Sequence, residues 1–315
     1  GFPKTLKNVK KVVVLLTGLT IVAIIVSKIT SPLDSPQPVE KEKPLEKYSF
    51  ENLKKRGGKE SDIKLETDNL FSYTSEGRKI TGLVNIPQGL GNFPVIIMLR
   101  GYVDQEIYQT GMGTQKASEF FSQHGFLTLA PDFLGYGESD MPPHNVWEER
   151  FLKSVAVLDL IASVKSLPQA DPTKICLWGH SNGGMIALSV LEISQSIYPT
   201  TLWAPVSQFF PYDILYYIDE FEDKGQALRQ SLAGFEEDYD VNKYSFDEHL
   251  DWIQAPILIH QGTEDESVPV KWSVNLTERL KKLEKEVDYY LYPGADHNLK
   301  GAWQTVVQRD LQFFQ

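Results

Sequence analysis

The chain has 315 residues, and 31 Lys and Arg against 42 Asp and Glu give it a net charge of −11, with 42% apolar and 11% aromatic residues. This is a globular composition with room for one large domain or two small ones, and it excludes collagen, coiled coil and extended disorder. The acidic sum argues against nucleic acid as a partner, because polyanions are bound by surfaces rich in Lys and Arg. The single cysteine, Cys176, excludes an intrachain disulfide and a cysteine-built metal site.

The charge is uneven. Residues 1–60 hold 12 basic and 6 acidic residues, a net of +6, which leaves −17 for residues 61–315. Lys4, Lys7, Lys10 and Lys11 precede an uncharged run from Val12 to Ser27 that Lys28 closes. At about 1.5 Å per residue this run spans roughly 24 Å, short of the ~30 Å hydrocarbon core unless the flanking lysines snorkel. Ile25 to Thr30 offers no small-residue cleavage pattern, so residues 1–30 read as an uncleaved membrane anchor, with a cleaved signal segment as the alternative. The lysines before the span predict a cytoplasmic N-terminus and a body outside the cytoplasm. Residues 31–60 carry Pro32, Pro36, Pro38 and Pro44 and a basic stretch from Lys54 to Lys59, and read as a Pro-rich charged linker.

From residue 61 the periodicity changes. Ile63–Thr74 and Lys79–Ile86 are strand-like and flank the turn Ser75-Glu76-Gly77, which predicts a hairpin. Strands are expected at Phe93–Leu99, Phe126–Ala130, Lys174–Trp178, Thr200–Trp203, Ile257–His260 and Val287–Tyr292. Helices are expected near 114–124, 146–167, from 183, near 270–285, and up to Phe314. Apolar strands alternating with helices imply an α/β fold, a mostly parallel sheet covered on both faces with an antiparallel N-terminal hairpin at one edge. Residues 208–250 interrupt the alternation with a helix-prone, aromatic segment of net charge −8, which suggests a cap over one end of the sheet.

Gly179-His180-Ser181-Asn182-Gly183 follows an apolar strand and opens a helix. The pattern G-x-S-x-G is needed where a serine sits on a tight strand-to-helix turn with its hydroxyl above the sheet. A serine needs a base, and the base needs an orienting group. Among the six histidines, His297 stands in a loop after a predicted strand, and Asp265 occupies the loop after the strand ending at His260, with Glu264 and Glu266 as neighbours able to replace it. Such loops gather beyond the carboxyl ends of the strands of an α/β sheet, so Ser181, Asp265 and His297 can converge there.

The chain order Ser, Asp, His, the elbow 179–183, the Gly262-x-x-Asp265-x-x-Val268-Pro269 loop and the Gly294-x-x-His297 loop resemble the α/β-hydrolase superfamily. Within it they are most similar to the catalytic domain of the prolyl oligopeptidase family and its single-domain relatives, as are the hairpin around Ser75–Ile80 and the stretch Asp132–Ser139. The likeness covers about residues 61–315. It implies Ser181 as nucleophile, His297 as general base and acid, and Asp265 as orienting carboxylate, with no metal or organic cofactor.

An oxyanion hole requires two preorganised N–H donors. One is expected from the backbone of Asn182 and the second from Tyr102, through its N–H or its hydroxyl, although Arg100-Gly101-Tyr102 departs from the His-Gly-Gly that many relatives carry at this point. Arg100 is a candidate to pair with a loop carboxylate or a substrate anion. Asp296 is expected to cap its own loop, and His180 to be packed rather than catalytic. In the segment 208–250, Tyr212 and Tyr216, four apart, are candidates to line a substrate pocket. The acidic run Asp219–Asp223 reads as a solvated face, with capture of a peptide amino terminus as its functional alternative. The activity implied is a serine peptidase of the prolyl oligopeptidase type acting on small peptides. A carboxylesterase on small acyl esters is the alternative, and a tethered binding protein without turnover the remote one.

Overall fold

The computed structural model describes residues 41–67 and 69–315. The expected membrane segment, residues 1–30, and residues 31–40 of the expected linker lie outside the described residues. Among the described residues no helix is long and apolar enough to cross a membrane.

Among the described residues, nine strands form one sheet: β1 (Lys64–Leu65), β2 (Leu70–Ser75), β3 (Arg78–Asn85), β4 (Phe93–Leu99), β5 (Leu127–Pro131), β6 (Ala170–His180), β7 (Thr200–Trp203), β8 (Ile257–Gly262) and β9 (Val287–Tyr292). Their order is β1-β2-β3-β5-β4-β6-β7-β8-β9. The first three strands are antiparallel, β3 joins β5 antiparallel, and all pairs from β5 to β9 are parallel. The predicted hairpin is β2–β3. Its turn places Glu76 and Gly77 at φ 48° and 74°, the left-handed pair of a two-residue loop whose twist matches the strands it joins.

The helices are α1 (Phe50–Arg56), α2 (Gln115–Gln123), α3 (Val146–Ser163), α4 (Asn182–Ser194), α5 (Tyr212–Leu215), α6 (Gln226–Asp238), α7 (Val270–Lys282) and α8 (Trp303–Phe314). Side chains alternate across a strand, and β4 shows how both faces are used. Val95, Ile97 and Leu99 join the core under α3, α4 and α7, whereas Ile96 and Met98 join the core under α2 and α8. All five are fully buried, each contributing roughly 1.5–3 kcal/mol of apolar transfer. A strand covered on both faces reads as a continuous apolar run, which is how Phe93–Leu99 is recognisable.

One boundary expected from the sequence is corrected. Residues 45–60 are not linker: they belong to the compact unit that runs from Lys43 to Gln315. Leu45, Tyr48, Phe50 and Leu53 are buried in the main core, and Ser49 caps α1 by accepting from the Asn52 N–H. Arg56, at the end of α1, grips the buried Asp159 of α3 with two hydrogen bonds of 2.8 and 2.9 Å. Asp159 also accepts from the Lys59 N–H at 2.7 Å and from the Ser75 hydroxyl at 2.6 Å. The prolines that suggest a linker all precede Leu45. Beyond it the apolar residues at 45, 48, 50 and 53 form a short buried stripe; Lys55 of the basic stretch is exposed, and the Lys54 ammonium lies 4.3 Å from the centre of the Trp252 ring.

The segment 208–250 departs in part from the expected cap. Phe210, Phe235, Tyr244 and Phe246 are buried in the main core, and Phe210 and Phe235 pack against Trp147 and Phe151 of α3. Much of the insertion therefore extends the helical layer over one face of the sheet, because its aromatic residues find their partners there.

Candidate active site

The strand register fixes what meets at the carboxyl edge. Leu99 lies beside Gly179, His180 beside Trp203, Trp203 beside His260, and Gly262 beside Tyr292. The segments that follow β4, β6, β8 and β9 therefore emerge together, and they carry Gly101, Ser181, Asp265 and His297.

Ser181 sits between β6 and α4 with φ 56° and ψ −119°, a backbone region costly for a side chain and maintained only when its surroundings enforce it. Strand β7 and the segment that follows it enforce it here. The Ser181 N–H donates to the Trp203 carbonyl at 2.9 Å, and the Val206 N–H donates to the Ser181 carbonyl at 3.0 Å. The flanking glycines permit the close approach: a Cβ on Gly183 would overlap the carbonyl oxygen of Leu99, and one on Gly179 would lie 2.7 Å from the carbonyl oxygen of Gly183. The Ser181 hydroxyl makes no capping bond to α4. The N–H groups of Asn182 and Gly183, at the start of that helix, have no intrahelical acceptor and present positive partial charge at the turn.

His297 Nδ1 donates to Asp265 Oδ2 at 2.9 Å, which leaves Nε2 as the ring nitrogen free of this bond. Asp265 is the carboxylate that reaches the imidazole, and its side chain is fully buried. Its Oδ1 accepts from the N–H groups of Ser267 and Val268 at 2.9 and 2.8 Å. Burial pushes the Asp265 carboxyl up, but the His297 hydrogen bond together with these backbone donors holds it below the ordinary carboxylate range. The group is therefore an anion that orients an imidazole.

Gln261 is a member of this arrangement that sequence reasoning missed. Its amide donates to Asp265 Oδ2 at 2.8 Å and accepts from the Ser273 hydroxyl at 2.8 Å. The signal available was a polar residue inside the apolar strand β8, four positions before Asp265. His180, expected to be packed rather than catalytic, is buried. Its Nε2 donates to the backbone carbonyl of His297 at 2.9 Å, and the two rings lie 4.7 Å apart.

Gly101 faces the elbow so closely that a Cβ there would stand 3.0 Å from the Ser181 Cβ. The backbone entering Tyr102 thus runs against Ser181, whereas the Tyr102 ring is 77% exposed. Arg100 does not pair with a loop carboxylate. It is buried, donates to the carbonyls of Gly101 and Asp132 at 2.9 and 2.7 Å, and lies over the rings of Tyr108 and Tyr136 at 4.5 and 4.2 Å. Carbonyls and aromatic faces replace a carboxylate because the Asp132 side chain is already taken by the hydroxyls of Thr81, Tyr108 and Thr110. Arg100 consequently braces the loop that leads to Gly101.

Tyr212 and Tyr216 are both exposed, at 55% and 54%. They have different partners: Tyr212 packs edge-on against Phe209, and Tyr216 against Tyr217 and Trp272. Tyr217 links this group to the loop that carries Asp265 through a 2.9 Å bond from its hydroxyl to the Ser267 carbonyl. In the acidic run, Asp223 accepts from the N–H groups of Gly225 and Ala227 at the start of α6, and Asp219 pairs with Arg229. Asp296 accepts from the N–H groups of Asn298 and Lys300 within its own loop. Lined in part by His180, between the starts of α2 and α8, lies a cavity of about 650 Å³ walled by Trp178, Trp203 and Trp303. Among the described residues, no group of three or more His, Cys, Asp and Glu is placed to hold a metal ion.

Residues 113–315 match the family described as the prolyl oligopeptidase family. The chain is similar to the protein named uncharacterized peptidase YtmA of Bacillus subtilis, with 25% identity over 71% of this chain and 84% of that protein. It is also similar to protein ABHD12B of Homo sapiens, with 23% identity over 65% of this chain and 56% of the human protein, so it spans little more than half of that relative. Among solved structures it resembles Est1E of Butyrivibrio proteoclasticus (TM-score 0.56, 19% identity, 78% of this chain and 97% of that one). It also resembles dipeptidyl peptidase 4 of Porphyromonas gingivalis (TM-score 0.56, 17% identity, 82% of this chain and 35% of that one). At these identities the structural likeness concerns the fold.

Proposed function

The chain belongs to the prolyl oligopeptidase family and is a serine hydrolase; from that premise we propose that it is a serine peptidase acting on small peptides through an acyl-enzyme formed on Ser181. The observation that carries the assignment is the Asp265–His297 hydrogen bond at the same sheet edge as the strained Ser181 elbow. His297 takes the Ser181 proton as the oxygen attacks the scissile carbonyl. The C–N bond then breaks and His297 returns the proton to the departing amine. Water, deprotonated by the same imidazole, attacks the acyl carbon and releases the acid, restoring the Ser181 hydroxyl. Asp265 keeps the imidazole in the tautomer with hydrogen on Nδ1 and stabilises the imidazolium. The N–H of Asn182 and the N–H of Tyr102 receive the oxyanion, and Tyr212 and Tyr216 line the substrate side.

A second reading, a carboxylesterase on small acyl esters, uses the same steps with an alcohol as leaving group. Turnover of Ala- and Pro-linked chromogenic peptides beside short p-nitrophenyl esters decides between them: peptide cleavage is expected, and ester-only turnover discards the peptidase. Membrane tethering through Val12–Ser27, with the catalytic unit outside the cytoplasm, is part of the proposal and rests on the sequence alone. Retention of the full chain in carbonate-washed membranes supports it, and release overturns it.

A further inference from the structure

We infer that His180 is a positioning residue for the base: its Nε2–H, donated to the backbone carbonyl of His297, fixes the loop that carries the general base to the strand that carries the nucleophile. The inference rests on the roles proposed for Ser181 and His297.

His180 directly precedes Ser181 and is the last residue of β6, so its backbone is held by the sheet and stands beside Trp203 of β7. The side chain is buried and spans from this rigid strand to an irregular loop. The loop's other anchor at His297 is the bond from Nδ1 to Asp265. A single ring-nitrogen bond leaves the imidazole free to swing about that contact. A second bond, 2.9 Å long and made to the same residue's main chain, removes this freedom. The rings of His180 and His297 lie 4.7 Å apart at 38°, so His180 also supports the imidazole laterally. On the oxyanion side, a Cβ at Gly101 would lie 3.6 Å from His180 Nδ1. One side chain therefore adjoins the nucleophile, the base loop and the turn that leads to Tyr102.

A carbonyl acceptor requires the hydrogen on Nε2, and in the neutral ring that meets this need Nδ1 is unprotonated. Burial, and secondarily the adjacent His297, lowers its pKa to about 4, against weaker opposing effects of the His297 carbonyl, Asp265 and Asp296. Lys116, Lys300 and Glu119 are the other charged groups around the cavity that His180 helps to line. A neutral ring donates the bond without placing a second positive charge beside the imidazolium that forms at His297 in the transition state. Small displacements of a reacting group have large effects on rate, up to about 100-fold for 1 Å.

The test compares His180→Phe, which keeps a planar ring and removes the donor, with His180→Gln, whose amide places an N–H near the Nε2 position. Measured on a short p-nitrophenyl ester, His180→Phe is expected to lower kcat by roughly 10- to 100-fold while KM moves less than about 2-fold. Its fluorophosphonate labelling rate should fall in the same ratio and its Tm should stay near the parent's. His180→Gln is expected to recover kcat to within about 5-fold of the parent. A His180→Phe enzyme with kcat within about 3-fold of the parent overturns the inference, as does an equal loss in both variants, which would assign the ring to packing alone. If His180→Phe does not fold, His180→Gln decides, because a folded Gln variant with the full loss of rate also overturns it. Labelling of the parent at Ser181, absent from Ser181→Ala, tests the underlying reading separately.

Discussion

Asp265 and His297, 32 positions apart in the chain, meet through one hydrogen bond of 2.9 Å from Nδ1 to Oδ2. The carboxylate is fixed on its other oxygen by two backbone N–H groups and on the same oxygen by Gln261, so the imidazole is oriented by a group that cannot itself turn.

Replacing Asp265 by Asn tests this relationship. The amide can present an N–H to Nδ1, which favours the tautomer with hydrogen on Nε2 and removes the base from service. A kcat loss of about 10⁴-fold is expected with KM little changed. A loss under about 10-fold, measured by steady-state kinetics on the best ester, would mean that another carboxylate orients the ring.

Gly101 is expected to be intolerant of any side chain. In Gly101→Ala the new Cβ meets the Ser181 Cβ at 3.0 Å, and the turn carrying the Tyr102 N–H must withdraw from the elbow. Loss of one oxyanion donor costs roughly 100- to 1000-fold in kcat. Tyr102→Phe, by contrast, should stay within about 3-fold of the parent if the donor is the main-chain N–H, and a loss near 100-fold would move the role to the hydroxyl.

His180 makes stability depend on pH. In the folded protein its pKa is lowered to about 4, whereas an exposed histidine titrates near 6.5. Between these values the unfolded chain binds more protons, so the contribution is present above about pH 6.5 and is lost as pH falls through about 4. It amounts to about 3 kcal/mol at most. Urea midpoints at pH 7 and 4.5 are expected to differ less in His180→Gln than in the parent, and identical differences would show that His180 does not ionise on unfolding.

Arg56→Leu is expected to destabilise the hydrolase unit although it lies far from Ser181 in sequence. It strands Asp159, whose side chain is fully buried, without its cation. Breaking a buried pair on one side costs about 3 kcal/mol or more, a fall of roughly 6–12 °C in Tm for a unit of this size. A chain starting at residue 43 should fold, and one starting at residue 61 should expose the apolar surface that Tyr48, Phe50 and Leu53 cover. Circular dichroism melts of both truncations check this.

The sequence by itself determined the α/β alternation, the strands from β4 to β9 and the elbow. Strands buried on both faces must be apolar throughout, and a serine on a strained turn must have glycines beside it. The same local logic marked Ser181 and His297 and the loop after β8, within which the family resemblance selected Asp265 over Glu264 and Glu266. What only the tertiary structure decided are the contacts made across many residues. Leu45–Arg56 became part of the domain because α3 and the insertion offered it a surface, and Arg100 took carbonyls because Asp132 was already occupied. Gln261 and His180 acquired partners 12 and 117 positions away. Periodicity reports which face of an element is buried. Which polar group it meets there is set by strand register and loop path, and no local pattern encodes either.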